Sequence, residues 1–354
     1  MTRFLLAGGG TGGHVNPLLA LAEQLRSEDH IVIALGTATG LEARLVPERG
    51  FELETIERIP FPRKPNLAAL SFPFRFIRAT LSVVKIIKSR RIDCVVGFGG
   101  YASAPAYVAA YLARVPLVIH EANALAGIAN RIGAKLTKNV AVAFANSDLK
   151  GRLTGMPIRS EIVDSIAGYD KGQARVEMGL DPILPTLLVT GGSLGAKSLN
   201  DAVIAARPKL AAAGIQVLHI VGDAAGLPEV TEPGYRRLSY CSRMDAAIAA
   251  SDFAVSRAGA STVAEFAAAG LPAVFVPYPV GNGEQRLNAV SVCQAGGGLL
   301  VEDRTFSADF IADEVIPLIS HAATLAKMAA AARSEGIPDS TLRLRDFVLE
   351  AVNT

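Results

Sequence analysis

Three stretches of this chain place glycine where a backbone could approach an anion. Gly8-Gly9-Gly10-Thr11-Gly12-Gly13 runs straight into His14, Gly191-Gly192-Ser193-Leu194-Gly195-Ala196 is the second, and Arg257-Ala258-Gly259-Ala260-Ser261-Thr262 is the third. Glycine admits positive φ and close approach, and a Gly-rich turn that opens a helix aims free N–H groups at a phosphate. A parallel sheet needs tight βα turns in any case, so one such loop is as readily an ordinary turn. Three of them point to a phosphate-bearing ligand. His14 stands in the first turn of a helix, where the helix N-terminus disfavours an imidazolium and so suits a general base. The plainer alternative is a ring that packs on the loop and bonds a backbone carbonyl.

Other polar residues sit where site residues collect in α/β folds. His120-Glu121-Ala122-Asn123 follows a strand, and His120 reads equally as a buried structural ring. Glu265 lies one turn into the helix that Ser261 and Thr262 open. A carboxylate there can accept two hydroxyls, as from a ribose, or simply complement the helix dipole. The loop Gly281 to Asn288 offers amides and a carboxylate suited to sugar hydroxyls, or is a plain helix start. The first loop matches G-x-G-x-x-G only at Gly8, Gly10 and Gly13. Its second strand ends Ala34-Leu35-Gly36-Thr37 without the expected acid, and Glu42 comes too late, which argues against a dinucleotide oxidoreductase. The five histidines show no paired spacing, and D-x-D and Cys/His zinc patterns are missing, so no metal site and no cofactor is predicted.

The elements that must carry these residues are legible as short apolar runs. Phe4 to Ala7, Ile31 to Leu35, Cys94 to Val96 and Leu117 to Ile119 read as buried parallel strands, and Leu18, Leu19, Leu21, Ala22 and Leu25 share one helix face. The pattern restarts at Thr186 to Thr190, with a helix from about Asn200 and strands at Gln216 to Val221, Phe253 to Val255 and Ala273 to Val276. The fold class is α/β, with two Rossmann-like domains, 1–157 and 158–337. From Pro338 onward, Leu342, Leu344, Phe347, Val348 and Ala351 have helical spacing.

Composition bounds the function. The 354 residues hold 35 basic and 33 acidic side chains, a net charge of +2, which excludes a generally basic nucleic-acid binder. No apolar run approaches the roughly 20 residues of a membrane span. Three scattered cysteines suit a reducing compartment. The near-neutral total conceals a local excess: Arg58 to Arg91 holds nine basic residues and no acid, leaving −7 on the rest. Phe72, Phe74, Arg75, Phe76, Arg78, Lys85 and Lys88 in this segment read as contacts to an anionic membrane surface, the alternative being a core helix with a solvated basic face.

Together with Gly97-Phe98-Gly99-Gly100-Tyr101, His120-Glu121-Ala122-Asn123, Gly155-Met156-Pro157-Ile158-Arg159 and Ser256-Arg257-Ala258-Gly259-Ala260 through Glu265 to Pro272, the glycine loops resemble the MurG family of peptidoglycan glycosyltransferases over nearly the whole chain. The resemblance implies a GT-B architecture of two Rossmann-like domains facing a cleft, with the C-terminal helix of about 338–354 returning to the N-terminal domain. It implies inverting, metal-independent transfer of N-acetylglucosamine (GlcNAc) from UDP-GlcNAc to the C4 hydroxyl of the muramoyl sugar of lipid I, giving lipid II, at the cytoplasmic face of the cell membrane. Ser193 and the helix start Ala260-Ser261-Thr262 would meet the nucleotide diphosphate, Val263 and Ala264 would join the substrate site, Glu265 would take the ribose, Arg159 the donor site, and Gln285 and Asn288 the GlcNAc hydroxyls. Thr11, Gly12, Gly13 and Asn123 would approach from the N-terminal domain, with His14 as base. Cell-wall synthesis and division proteins are candidate partners, and no nucleic acid is expected. The chain departs from the family at Glu284 and Ala122, where Gln is usual, and at Met156, where Asn is usual. Rival readings are a UDP-GlcNAc 2-epimerase, another GT-B glycolipid synthase, and a nucleotide-sugar-binding module without catalysis.

Overall fold

The computed structural model describes residues 1–62, 67–192 and 195–353. The chain divides into two units, Met1–Arg159 with Asp339–Thr354, and Ser160–Pro338, against the expected divisions after 157 and 337.

In the first unit the strands are β1 (Arg3–Ala7), β2 (Ile31–Thr37), β3 (Glu52–Ile56), β4 (Cys94–Gly97), β5 (Leu117–Glu121), β6 (Val140–Val142) and β7 (Arg152–Leu153). They form one sheet in the order β3-β2-β1-β4-β5-β6-β7, parallel throughout. The second unit repeats the plan with β8 (Thr186–Thr190), β9 (Gln216–Ile220), β10 (Val230–Glu232), β11 (Tyr235–Leu238), β12 (Phe253–Ser256), β13 (Ala273–Phe275) and β14 (Gly298–Leu300). Its order is β10-β11-β9-β8-β12-β13-β14, with only the β10–β11 pair antiparallel. Strand order reverses at β1/β4 and at β8/β12, and the crevice beyond such a point is where open α/β sheets take ligands.

The central strands are apolar on both sides because both faces are covered. In β1, Leu5 and Ala7 join a core with the helices Leu67–Arg90 and Ser103–Ala113. Phe4 and Leu6 join another with the helices Gly12–Ser27 and Ser340–Val352. That last helix belongs to the first unit: Leu344, Val348 and Ala351 are buried, and the Ser340 and Thr341 hydroxyls donate to the carbonyls of Met156 (2.6 Å) and Ile158 (3.0 Å).

The Leu67–Arg90 helix corrects part of the surface reading. Phe72 lies between Phe61 and Phe76, its ring centroid 5.4 and 5.7 Å from theirs, and Phe72 and Phe76 pack on the core beside Ala79, Val83 and Ile87, because i, i+4 spacing puts them on the inner face. The outer stripe is instead Leu70, Phe74, Ile77 and Leu81, between 56% and 77% exposed. Arg75 and Arg78 both pair with Glu57, and Arg90 with Glu52 and Glu54, acids that lie just upstream of the counted segment. Lys85 and Lys88 are exposed without an ion pair among the described residues. Arg63 and Lys64 lie outside the described residues.

Two histidines are fully buried. His120 donates from Nε2 to Gly155 O (3.0 Å), and burial pulls its pKa down to about 4. His219 is held between the Tyr235 hydroxyl and Asn200 Oδ1, and burial, then the Arg237 and Arg207 charges, pull it down to about 3. Both rings are neutral when folded, while the unfolded rings protonate near pH 6.5. Stability present above that pH is lost as pH falls toward 4, at roughly 1.4 kcal/mol per pH unit per ring. The urea midpoint is expected to drop between pH 7 and pH 5, and a flat midpoint over that window would contradict this account.

Candidate functional site

At the β1/β4 crevice the first glycine loop leaves β1 and the strand β4 gives Phe98-Gly99-Gly100. His14 enters from the first turn of its helix. Its Nδ1 lies 3.1 Å from Gly9 O and 3.3 Å from Thr11 Oγ1. Gly9 O can only accept, so Nδ1 carries a proton, and in the neutral ring that puts the lone pair on Nε2. Nε2 has no hydrogen-bond partner among the described residues and is not one of the buried orphan atoms, so it opens to solvent. The two alternatives for this ring are therefore compatible: it bonds a backbone carbonyl with one nitrogen and offers the other as a base.

The first loop does not act as a phosphate cradle at its centre. Gly10 N donates to Glu42 Oε2 (2.8 Å), and Glu42 is 1% exposed. A buried carboxylate beneath the loop repels a phosphate there. Burial pushes the Glu42 carboxyl up, but donors from Gly10, its own N–H and Thr37 outweigh this and hold it below the ordinary value. Thr11 is exposed, and Gly12 and Gly13 are half-buried in the helix start.

Beside this crevice Glu121 organises the loop after β5. Its Oε1 accepts from Asn123 N (2.9 Å), and its Oε2 accepts from Gly127 N (3.0 Å) and Asn130 Nδ2 (2.8 Å). Tyr107 donates to Asn130 Oδ1 (2.6 Å). Asn123 is thus held half-buried at a set position, and Arg159 is half-buried at the last residue of the same stretch.

The β8/β12 crevice of the second unit is built differently. Ser193 lies outside the described residues. Gly195 has φ +74°, and a Cβ there would sit 2.2 Å from Val221 O, so the turn requires glycine. A cavity of about 300 Å³ lies beside it, lined by Gly195, Lys197, Asn200 and Ala224 among others. Opposite, Gly259 caps the helix Ala260–Ala269, whose first turn holds no acid. Its first N–H groups have no intrahelical partner, and the buried Ser261 Oγ has no partner either. Thr262 and Ala264 are half-buried, while Ala260 and Val263 are buried and offer backbone alone. Glu265 is 7% exposed one turn further in.

Gln285 accepts from Tyr278 N (2.9 Å) through Oε1, which leaves its Nε2 for a ligand. Asn288 turns inward: it is fully buried and donates to Ala258 O (3.3 Å), bracing the third loop from below rather than facing solvent.

The glycine pattern of the third loop assigns no role to Arg257, and the structure makes it the clip of this crevice. Its Nη1 donates to Val276 O (3.1 Å), Pro277 O (3.2 Å) and Asp303 Oδ1 (2.5 Å), and its Nη2 donates to Ser198 Oγ (3.1 Å). Asp303 is the partner no local pattern could supply.

Family models match on both sides. Residues 4–142 match the glycosyltransferase family 28 N-terminal domain, and residues 186–344 match its C-terminal domain. A protein of Leifsonia xyli subsp. xyli is 53% identical, covering 97% of each chain, and one of Streptomyces coelicolor is 47% identical, covering 98% of each. The chain belongs to glycosyltransferase family 28. Both relatives are named UDP-N-acetylglucosamine--N-acetylmuramyl-(pentapeptide) pyrophosphoryl-undecaprenol N-acetylglucosamine transferase. Among solved structures, MurG of Acinetobacter baumannii aligns with TM-score 0.80 at 29% identity, over 99% of this chain and 100% of that one. The calicheamicin glycosyltransferase CalG4, 17% identical with TM-score 0.66, shares the fold. As a family 28 member the chain has the GT-B plan of two Rossmann-like units.

Within this family 28 chain, Arg257→Ala removes the cation beside a half-buried Asp303, which among the described residues keeps only the Ser198 hydroxyl (2.6 Å), and releases the carbonyls of Val276 and Pro277. A loss of about 2 kcal/mol and a melting point lower by roughly 5 °C are expected. Calorimetry checks this, and an unchanged melting point would refute the clip.

Proposed function

We propose that this chain transfers GlcNAc from UDP-GlcNAc to undecaprenyl-diphosphate-linked N-acetylmuramyl-pentapeptide, lipid I, and so makes the lipid II used in peptidoglycan synthesis. The observation that carries the reading is near 50% identity, over almost the full length, to enzymes named for that reaction. The second crevice supports the donor assignment: an acid-free helix N-terminus with an unpartnered hydroxyl suits a diphosphate, and Glu265 suits the ribose.

The reaction is an in-line displacement with inversion. The C4 hydroxyl oxygen of the muramoyl sugar attacks the anomeric carbon, the bond from that carbon to the diphosphate oxygen breaks, and UDP leaves. The hydroxyl proton passes to His14 Nε2. The helix N–H groups and Ser261 meet the charge that grows on the leaving diphosphate, and no step runs through a metal ion. Gln285 Nε2 is placed to read a sugar hydroxyl. Thr11, Gly12, Gly13 and Asn123 line the acceptor side around His14.

The acceptor is lipid-linked, and the exposed stripe of Leu70, Phe74, Ile77 and Leu81 with Lys85 and Lys88 is suited to the anionic cytoplasmic leaflet. Among the described residues no single helix is long and apolar enough to cross a membrane. The enzyme is thus peripheral in this reading.

Labelled UDP-GlcNAc supplied with and without lipid I separates the readings. Transfer to lipid I is expected. Epimerisation without acceptor would favour the 2-epimerase, and binding without turnover a non-catalytic module. In the same assay His14→Ala is expected to lower kcat about 10²–10⁴-fold with UDP-GlcNAc binding retained. Undiminished turnover removes His14 from the base role. For the surface, the triple variant Phe74→Ser, Ile77→Ser, Leu81→Ser is expected to weaken binding to anionic vesicles at least roughly tenfold. Vesicle binding equal to that of the parent would exclude the stripe.

A further inference from the structure

We propose that Glu42 is a positioning residue for catalysis, which sets the tautomer and aim of His14 through the single peptide group joining Gly9 to Gly10. The inference rests on the reading of His14 as the base. The two ends of that peptide carry the two contacts. Its N–H, on Gly10, donates to Glu42 Oε2 at 2.8 Å, and its carbonyl oxygen, on Gly9, lies 3.1 Å from His14 Nδ1. A peptide is planar, so turning it to release one bond releases the other. While Glu42 holds the N–H, the carbonyl is aimed at the ring, Nδ1 must donate, and the lone pair is confined to Nε2.

The carboxylate is itself fixed. Its Oε1 accepts from Thr37 N (2.9 Å) and Thr37 Oγ1 (2.7 Å). Three glycines wall it in, since a Cβ at Gly9, Gly36 or Gly40 would fall 2.4, 2.4 or 2.1 Å from its atoms. From the other side a Cβ on Gly100 would fall 2.3 Å from Gly9 O, and one on Gly99 would fall 3.1 Å from His14 Nε2. The peptide and the ring are therefore held between two glycine loops, with Gly99 beside Nε2 and no hydrogen bond to that nitrogen among the described residues.

A side chain kept only for shape would not need a charge. Among the described residues Glu42 makes no ion pair, and its donors from Gly10 and Thr37 are neutral. Its negative charge polarises the peptide so that Gly9 O becomes a stronger acceptor. That bond tightens when Nε2 takes the proton of the acceptor hydroxyl and the ring becomes cationic. The arrangement is a carboxylate–histidine pair with one peptide unit between its members, and it plays the orienting role that a directly bonded carboxylate plays in hydrolytic triads.

Glu42→Gln keeps the volume and removes the charge. Ring-¹⁵N histidine spectra of the full chain, with His14 identified by its loss in His14→Gln, read the tautomer directly. The parent is expected to show protonated Nδ1 and bare Nε2, and Glu42→Gln a mixture of tautomers. Its kcat is expected to fall about 10–100-fold with KM for UDP-GlcNAc within about twofold. Glu42→Asp, which keeps the charge but is one methylene short, is expected to lie between. In whichever variant folds, a parental tautomer with parental kcat overturns the proposal. A shifted tautomer alongside an active His14→Ala would instead uphold the link between Glu42 and the ring and reject the base reading.

Discussion

Parallel pairing is the constraint from which the rest of this molecule follows. A parallel neighbour cannot be reached by a tight hairpin, so the chain must cross back over the sheet each time, and the strand C-termini all empty onto one edge. In both units the order reverses once, at β1/β4 and at β8/β12, and leaves two diverging loops with a gap between them. His14 stands at the first of those gaps, and the start of the helix Ala260–Ala269 at the second. The glycines are there because backbone must pass backbone: Gly100 against Gly9 O in one unit, and Gly195 against Val221 O in the other.

The same topology carries opposite electrostatics in its two copies. The first gap is closed from beneath by a buried carboxylate and presents the imidazole of His14. The second is clipped by an arginine and presents backbone N–H groups with a lone hydroxyl. A proton acceptor suits the former and an anion the latter. The scaffold is shared, and the difference in chemical character resides in a few side chains set on it.

How much of this could be read from the chain depended on whether a signal was local. The inner strands are continuous apolar runs and the turns carry their glycines, so the two-unit plan and the reversal loops were legible. The edges were not: β3 is Glu52-Leu53-Glu54-Thr55-Ile56, mixed because one of its sides is solvated, and β7 spans only two residues. Phe72, Phe74 and Phe76 look equivalent in a list of aromatics, and only the helical phase separates the exposed ring from the two stacked ones. In sequence Glu42 falls too late for a ribose contact, yet the short helix it opens folds it under the first loop. Arg257 needs Asp303, and Asn288 needs Ala258, pairings that only the folded chain creates. The four residues Glu52, Glu54, Glu57 and Arg90 show the same limit for charge: a tally along the chain stopped short of the acids that neutralise it.

The helix Ser340–Val352 makes the first unit discontinuous, since it is built from both sides of the second. During synthesis the second unit, a single uninterrupted stretch, has all its residues before the first does. Until residues 340–352 emerge, Leu18 and Leu21 lack their cover, and the Met156 and Ile158 carbonyls lack the hydroxyls of Ser340 and Thr341. Order of birth and order of completion are therefore reversed: the unit that carries His14 is begun first and finished last, and its maturation reports that the second unit has already been made.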